Sequence, residues 1–219
     1  MKRTRSKLSD SLHHGLNVYA LAASAAGVGM LALAQPAGAK IVYTPAHVTI
    51  GLLGRYSIDL KHDGSKDFAI LNLTYNSTSP FGDVLAASAL RRGNGIERSQ
   101  DSHFAAALPK GVRVGPSAKD FREGRKRMVS CDSAPHTSGP WVNVTNRFLG
   151  LKFLIAGKVH YGWARLTVQI QHPHLQPPAI ATVLTGYAYE TIANKPIVTG
   201  KEHGADDGVT LGRLALGRR

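Results

Sequence analysis

Between residues 149 and 171 the chain alternates apolar and polar side chains, and the phase of that alternation changes once. Leu149, Leu151, Phe153 and Ile155 hold odd positions. Ala156-Gly157-Lys158 marks a short turn, and the return segment keeps its large residues odd at Val159, Tyr161 and Trp163. From Ala164 the apolar positions are even: Ala164, Leu166, Val168 and Ile170, with Arg165, Thr167, Gln169 and Gln171 between them. Side chains on a strand alternate faces, so one core face cannot accept both phases. A β-bulge near residues 162–165, inserting one extra residue, is the expected resolution; a strand buried on both sides as far as Trp163 is the alternative. Residues 180–190 read as a further strand. Before it, His172-Pro173-His174-Leu175-Gln176-Pro177-Pro178 predicts a loop, because proline cannot donate to a ladder.

The earlier chain carries a similar but shorter-ranged signal. Residues 41–43, 47–53, 56–60 and 68–75 are rich in aromatic and β-branched side chains, punctuated by turn residues. From 77 to 140 the pattern decays into scattered Gly, Ser, Pro and Arg, with helix-compatible pieces only at 84–91 and 118–127. That stretch is expected to be loop-rich, either long loops over one sheet or an insertion. Many strands, no long amphipathic helix and frequent turns predict an all-β fold. The expectation is an antiparallel β-sandwich, jelly-roll-like, with a loop-rich middle segment, in a single domain over 40–219.

The first thirty-nine residues read differently. Lys2, Arg3, Arg5 and Lys7 precede an uncharged stretch from 16 to 34, and Ala37-Gly38-Ala39 offers a small-residue cleavage site. This pattern predicts a signal peptide over 1–39, with Lys40 as the new N-terminus. The alternative is a membrane anchor, which Pro36 and the small-residue site argue against. The expected location is secreted, extracellular or periplasmic, with no transmembrane anchor after cleavage. Removing four basic residues and Asp10 lowers the formal net charge from +13 to +10. A basic exported protein is drawn to anionic surfaces, which indicates a kind of partner and not a fold. Cys131 is the only cysteine, so no internal disulfide is available and the core must carry the fold.

Phe148-Leu149-Gly150-Leu151-Lys152-Phe153, His160-Tyr161-Gly162-Trp163-Ala164-Arg165-Leu166, Gly186-Tyr187-Ala188-Tyr189-Glu190 and Pro196-Ile197-Val198-Thr199-Gly200 together resemble a stretch found in uncharacterised bacterial exported β-proteins. Many of those carry a C-terminal PEP-CTERM sorting signal. The resemblance covers about a quarter of the chain and implies an extracellular β-sandwich with no established catalytic residues. This chain departs from the sorted members: after Gly200 it has no Pro-Glu-Pro triplet and no apolar helix, only a basic tail over 201–219.

Four groups of residues are candidates for chemistry. The run from Asp59 to Phe68 resembles exported calcium loops, in which Asp59, Asp63 and Asp67 with the Ser65 carbonyl would supply hard oxygens and Gly64 the sharp turn. Lys61 stands where another oxygen ligand is expected, and Ile70 stands where an EF-hand has its closing Glu. A metal-free hairpin turning at Asp63-Gly64 explains the same residues. His160, His172 and His174 have spacing compatible with zinc, but Pro173 and the lack of a nearby acid favour ordinary loop histidines.

Arg122, Arg125, Lys126 and Arg127 form the densest basic cluster, with Lys110, Arg113 and Lys119 upstream and Asp120 and Glu123 diluting it. It suits an anionic polymer or, more plainly, a solvated loop or short helix. Phe121 is the only aromatic near it, so sequence-specific nucleic acid is not expected. Trp141, Tyr161, Trp163, Tyr187 and Tyr189 could build a sugar-stacking platform, with Trp163 aimed outward by the bulge, although alternating aromatics usually pack cores. No G-x-S-x-G, H-E-x-x-H or phosphate-binding glycine loop occurs, and no carboxylate pair has a catalytic context. The expectation is therefore a non-catalytic, surface- or matrix-associated binding protein that holds anionic polymer such as polysaccharide. The alternative is a carbohydrate-active protein, either a sugar-binding module or a hydrolase, on a jelly-roll scaffold.

Overall fold

The computed structural model describes residues 40–75, 82–99, 103–117, 120–131, 137–171 and 179–204. The chain divides into two units, Met1–Gly38 and Ala39–Arg219, and every described residue lies in the second. The expected signal peptide, the loop at 172–178 and the tail beyond 204 lie outside the described residues. Among the described residues there are strands and turns but no helix.

One sheet has six strands in the order β1 (Ile41–Ile50), β12 (Ala179–Glu190), β11 (Lys158–Gln171), β10 (Val144–Ile155), β5 (Gly95–Glu97) and β7 (Phe121–Arg122). The other has five: β2 (Arg55–Ile58), β3 (Phe68–Tyr75), β4 (Gly82–Ala89), β8 (Arg125–Cys131) and β9 (Thr137–Ser138). A two-stranded ribbon pairs β6 (Arg113–Val114) with β13 (Ile197–Val198). All these pairings are antiparallel, and neither large sheet closes into a barrel.

The two large sheets bury a common core. Ile58, Phe68, Ile70, Leu85 and Val129 come from the five-stranded sheet, and Leu149, Leu151, Phe153, Leu166, Val168 and Leu184 from the six-stranded one. The fold is thus an antiparallel β-sandwich. Asn72 is buried between the layers and donates from its side-chain amide to the carbonyls of Ile50 (3.2 Å) and Ile180 (2.7 Å). It ties the sheets together at a place where an unsatisfied backbone carbonyl would cost about 1–3 kcal/mol.

The middle of the chain departs from expectation. Residues 84–91, expected to be helix-compatible, lie in or just after β4, and 121–127 supply β7 and the start of β8. The loop-rich segment 77–140 thus supplies three of the five strands of the second sheet, β4, β8 and β9. Gly82-Asp83-Val84-Leu85-Ala86-Ala87-Ser88-Ala89 is made largely of small residues with low strand propensity. It is a strand because its inward residues Leu85 and Ala87 fill the core against Ile70 and Phe68, so packing overrides propensity.

The phase change at Trp163 also resolves differently. Within β11 the register is continuous: Ala164, Leu166 and Val168 face the common core, while Tyr161 and Trp163 face a second one. The extra residues sit on the neighbouring strands, between Arg165 and Leu166 opposite Thr185 of β12, and near Val144 and Arg147 of β10. Two-sided burial, and not a bulge in β11, explains the sequence. The second core contains Ile41, Val114, Phe148, Tyr161, Trp163, Ala188 and Ile197. The ribbon thus lies over the outer face of the six-stranded sheet as a third layer, contributing Val114 and Ile197.

The hairpin joining β10 to β11 follows its sequence. Ile155 pairs with Lys158, and Ala156 (φ 48°) and Gly157 (φ 76°) form the two-residue connection. Two consecutive positive φ values match the twist of the flanking strands.

Candidate functional site

The outer face of the five-stranded sheet carries the basic residues that sequence reasoning singled out, in a changed grouping. Cross-strand pairing gives one row of Arg55, Leu71, Ala86 and Arg127 and the next of Ser57, Ala69, Ser88 and Arg125. The partners of these rows alternate into the core, so the rows themselves face outward. The arginines at the ends of these rows are exposed, while Ala69, Leu71 and Ala86 between them are buried. Arg125 and Arg127, together with Leu73, Thr74 and Val84, line a depression of about 390 Å³. Among the described residues, Arg55, Arg125 and Arg127 form no ion pair.

Arg122 does not belong to this face. It lies on β7, at the edge of the other sheet, where its Nε contacts the Asp120 carboxylate at 2.6 Å. Arg98 pairs with the same carboxylate. Lys126 is half-buried and alternates to the side opposite its two arginine neighbours. Arg55, seventy residues upstream of the cluster, was missed because only strand pairing brings it to this face.

The Asp59–Asp67 loop joins β2 to β3 and engages its carboxylates internally, although the buried Oδ1 of Asp67 accepts no hydrogen bond. Asp59 accepts hydrogen bonds from the backbone N–H of Asp63 (3.3 Å) and Gly64 (2.8 Å); Asp63 accepts from Ser65 N–H (2.9 Å) and Asp67 from Leu60 N–H (3.1 Å). The Lys61 ammonium lies between Asp63 Oδ2 (3.0 Å) and Asp67 Oδ1 (3.5 Å). Burial pulls the Lys61 ammonium down, but the hydrogen bond to Asp63 and the charge of Asp67 outweigh it and hold it above the ordinary lysine value. Burial raises the Asp67 carboxyl against the pull of that same ammonium. Among the described residues no group of three or more His, Cys, Asp or Glu side chains is arranged to hold a metal ion. A calcium ion here would have to displace Lys61, so as they stand the residues fit an internal ammonium.

The remaining candidates are placed as follows. Trp163 is completely buried, and neither a bulge nor solvent reaches it; it packs edge-on against Phe148 at 5.1 Å and near Tyr43 at 5.9 Å. Trp141, Tyr161 and Tyr187 are buried and Tyr189 half-buried, so these aromatics are packing residues and form no open platform. His160 is buried, with its Nδ1 3.0 Å from the Glu190 carbonyl and its ring beside Phe153; His172 and His174 lie outside the described residues. Cys131 is buried in the common core.

One carboxylate stands apart. Glu97 on β5 pairs across to Phe121 and lies over Gly150, in a row that continues through Trp163 and Ala188 to Tyr43. Its Oε2 has no hydrogen-bond partner, and burial pushes its carboxyl up to about 7.

The chain matches no known protein family, no curated protein and no solved structure.

Proposed function

We propose that this chain is an exported, non-catalytic binding protein whose outer five-stranded face holds an anionic polymer at or beyond the cell surface. The observation that supports this reading is the outward row structure of Arg55, Arg125 and Arg127, three exposed guanidinium groups without carboxylate partners among the described residues. Guanidinium forks match carboxylate and phosphate oxygens, and all three arginines are exposed. The net charge of +10 left after loss of residues 1–39 adds long-range attraction that falls with ionic strength.

The test is retention of the purified protein on immobilised polygalacturonate across a salt gradient. Binding should weaken steeply with salt, and replacing Arg55, Arg125 and Arg127 together by Ala should lower affinity at least about tenfold, since each charge-assisted contact contributes on the order of 1 kcal/mol or more. Salt-insensitive retention, or retention equal in the triple variant, would overturn the reading.

A further inference from the structure

A cavity of about 590 Å³ lies not on the arginine face but on the outer side of the six-stranded sheet, beyond the end of the second core. Its floor is Phe148 on β10 and Arg165 on β11, which pair directly across the strands. Its rim comes from two separate segments, Lys110 before β6 and residues 200–203 after β13. These segments are bound to each other. Gly111 N–H donates to the Thr199 carbonyl (3.0 Å), Thr199 N–H to the Val112 carbonyl (2.8 Å), Val112 N–H to Thr199 Oγ1 (2.9 Å), and that hydroxyl to the Pro109 carbonyl (2.7 Å). The rim is therefore set in place before any ligand arrives, which reduces the entropy lost on binding.

The floor arginine is equally fixed. Arg165 donates from Nε to Thr185 Oγ1 (2.9 Å), from Nη1 to Glu202 Oε1 (2.9 Å) and from Nη2 to Tyr43 Oη (3.0 Å). An arginine has five N–H donors, so one on Nη1 remains after these bonds and a further weak Nη2 contact to the Thr185 carbonyl. Among the described residues Glu202 is the only acid lining the cavity, and it is already engaged by Arg165. Lys110 and Lys201 also line it, are exposed, and have no ion pair among the described residues. Gly200 keeps the space open: it sits at φ 80°, and a Cβ there would lie 3.0 Å from Lys110 Cγ and 3.2 Å from Phe148 Cζ.

Three cations and one carboxylate around this preformed concavity leave a net positive charge that an entering anion relieves. We propose that this recess is a binding site for a small polar ligand carrying a carboxylate or phosphate group, with Lys110 and Lys201 contacting the anionic group above the fixed Arg165. A volume near 600 Å³ falls within the range of sites for small molecules of sugar size. The site is on the opposite sheet from the arginine face and does not depend on it.

The experiment is calorimetric titration of the purified full-length protein with glucuronate, with inorganic phosphate and with uncharged glucose. Binding of either anion, absent for glucose and weakened at least about tenfold in Lys110→Ala/Lys201→Ala, supports the site. Glucuronate alone points to an acidic sugar as the natural source of the anion, and phosphate alone to a phosphate ester. Arg125→Ala/Arg127→Ala serves as the control and should leave small-anion binding unchanged, whether or not polymer retention is lost. No binding of either anion at roughly 10 mM, a range corresponding to about −3 kcal/mol, would overturn the proposal. So would binding that Lys110→Ala/Lys201→Ala leaves intact.

Discussion

The two sheets have matching inner faces and contrasting outer ones. Behind the six-stranded sheet the outward positions are Phe148, Tyr161 and Trp163, and a ribbon from distant parts of the chain covers them. Behind the five-stranded sheet the outward positions are Ala69, Leu71, Ala86 and Ser88, bordered by exposed arginines; Ala69, Leu71 and Ala86 are themselves buried, and among the described residues no strand lies over them. The difference lies in what each outer face offers: aromatic rings on one, small and aliphatic side chains with arginines at the margin on the other. Aromatic rings bury roughly 150–250 Å² each and repay the ordering of a covering segment.

The most severe way to break this contrast is to empty the covered face. Trp163→Ala should cost about 3–5 kcal/mol in denaturant unfolding, because the indole is fully enclosed and the ribbon cannot collapse into the gap. Single alanine replacements of Arg125 or Arg127, both exposed on the other sheet, should stay within about 0.5 kcal/mol. Equal losses on both faces would remove the distinction.

Glu97 probes the same covered face from its edge. Gly150→Ala should destabilise by about 2 kcal/mol, because a Cβ there runs into the Glu97 carboxylate. Adding Glu97→Ala to that variant should return part of the loss, as coupled neighbours do. The carboxyl titrates near 7 when folded against an ordinary value of 4.5. The native state therefore holds its proton longer, and the stability linked to Glu97 is complete below about pH 4.5 and lost as pH rises through 7. After discounting for partial exposure the loss is on the order of 2 kcal/mol. Glu97→Gln should flatten that part of the pH–stability curve.

The loop joining β2 to β3 belongs to neither outer face and gives a smaller effect. Lys61→Asn exchanges an ammonium for an oxygen donor between Asp63 and Asp67. In millimolar calcium the variant should gain about 1 kcal/mol that chelator removes, a shift larger than that of the native chain. Equal shifts in both proteins would show that Lys61 does not exclude the ion. The smallest effect is expected at the tip between β1 and β2, where exposed Leu53 is held at φ 56°. Leu53→Gly should stabilise by up to about 1 kcal/mol through relief of the left-handed conformation.

The strands from 144 to 190 were legible in sequence because their large residues alternate and their turn residues match the turn. The ambiguity at Trp163 was visible too, but a single strand cannot tell a bulge from a second core; that depends on Val114 and Ile197, which are remote in sequence. β4 was misread because its small side chains obey no propensity rule and only Ile70 and Phe68 make it a strand. The basic cluster was half legible: Arg125 and Arg127 lie on one face, while Arg122 and Arg55 exchange membership through strand pairing. The Arg165 cavity left no local signal, since its walls meet only after the ribbon forms.

The pairing of Ile41 with Glu190 has a kinetic consequence. The first described strand to leave the ribosome, β1, can dock only on β12, among the last, so the six-stranded sheet cannot close until nearly the whole chain is available. Such non-local closure is slow and leaves strand edges open while the chain waits. A chain ending before Ala179 would lack the strand that joins β1 to β11, and its expected fate is aggregation through those two edges rather than a smaller folded domain.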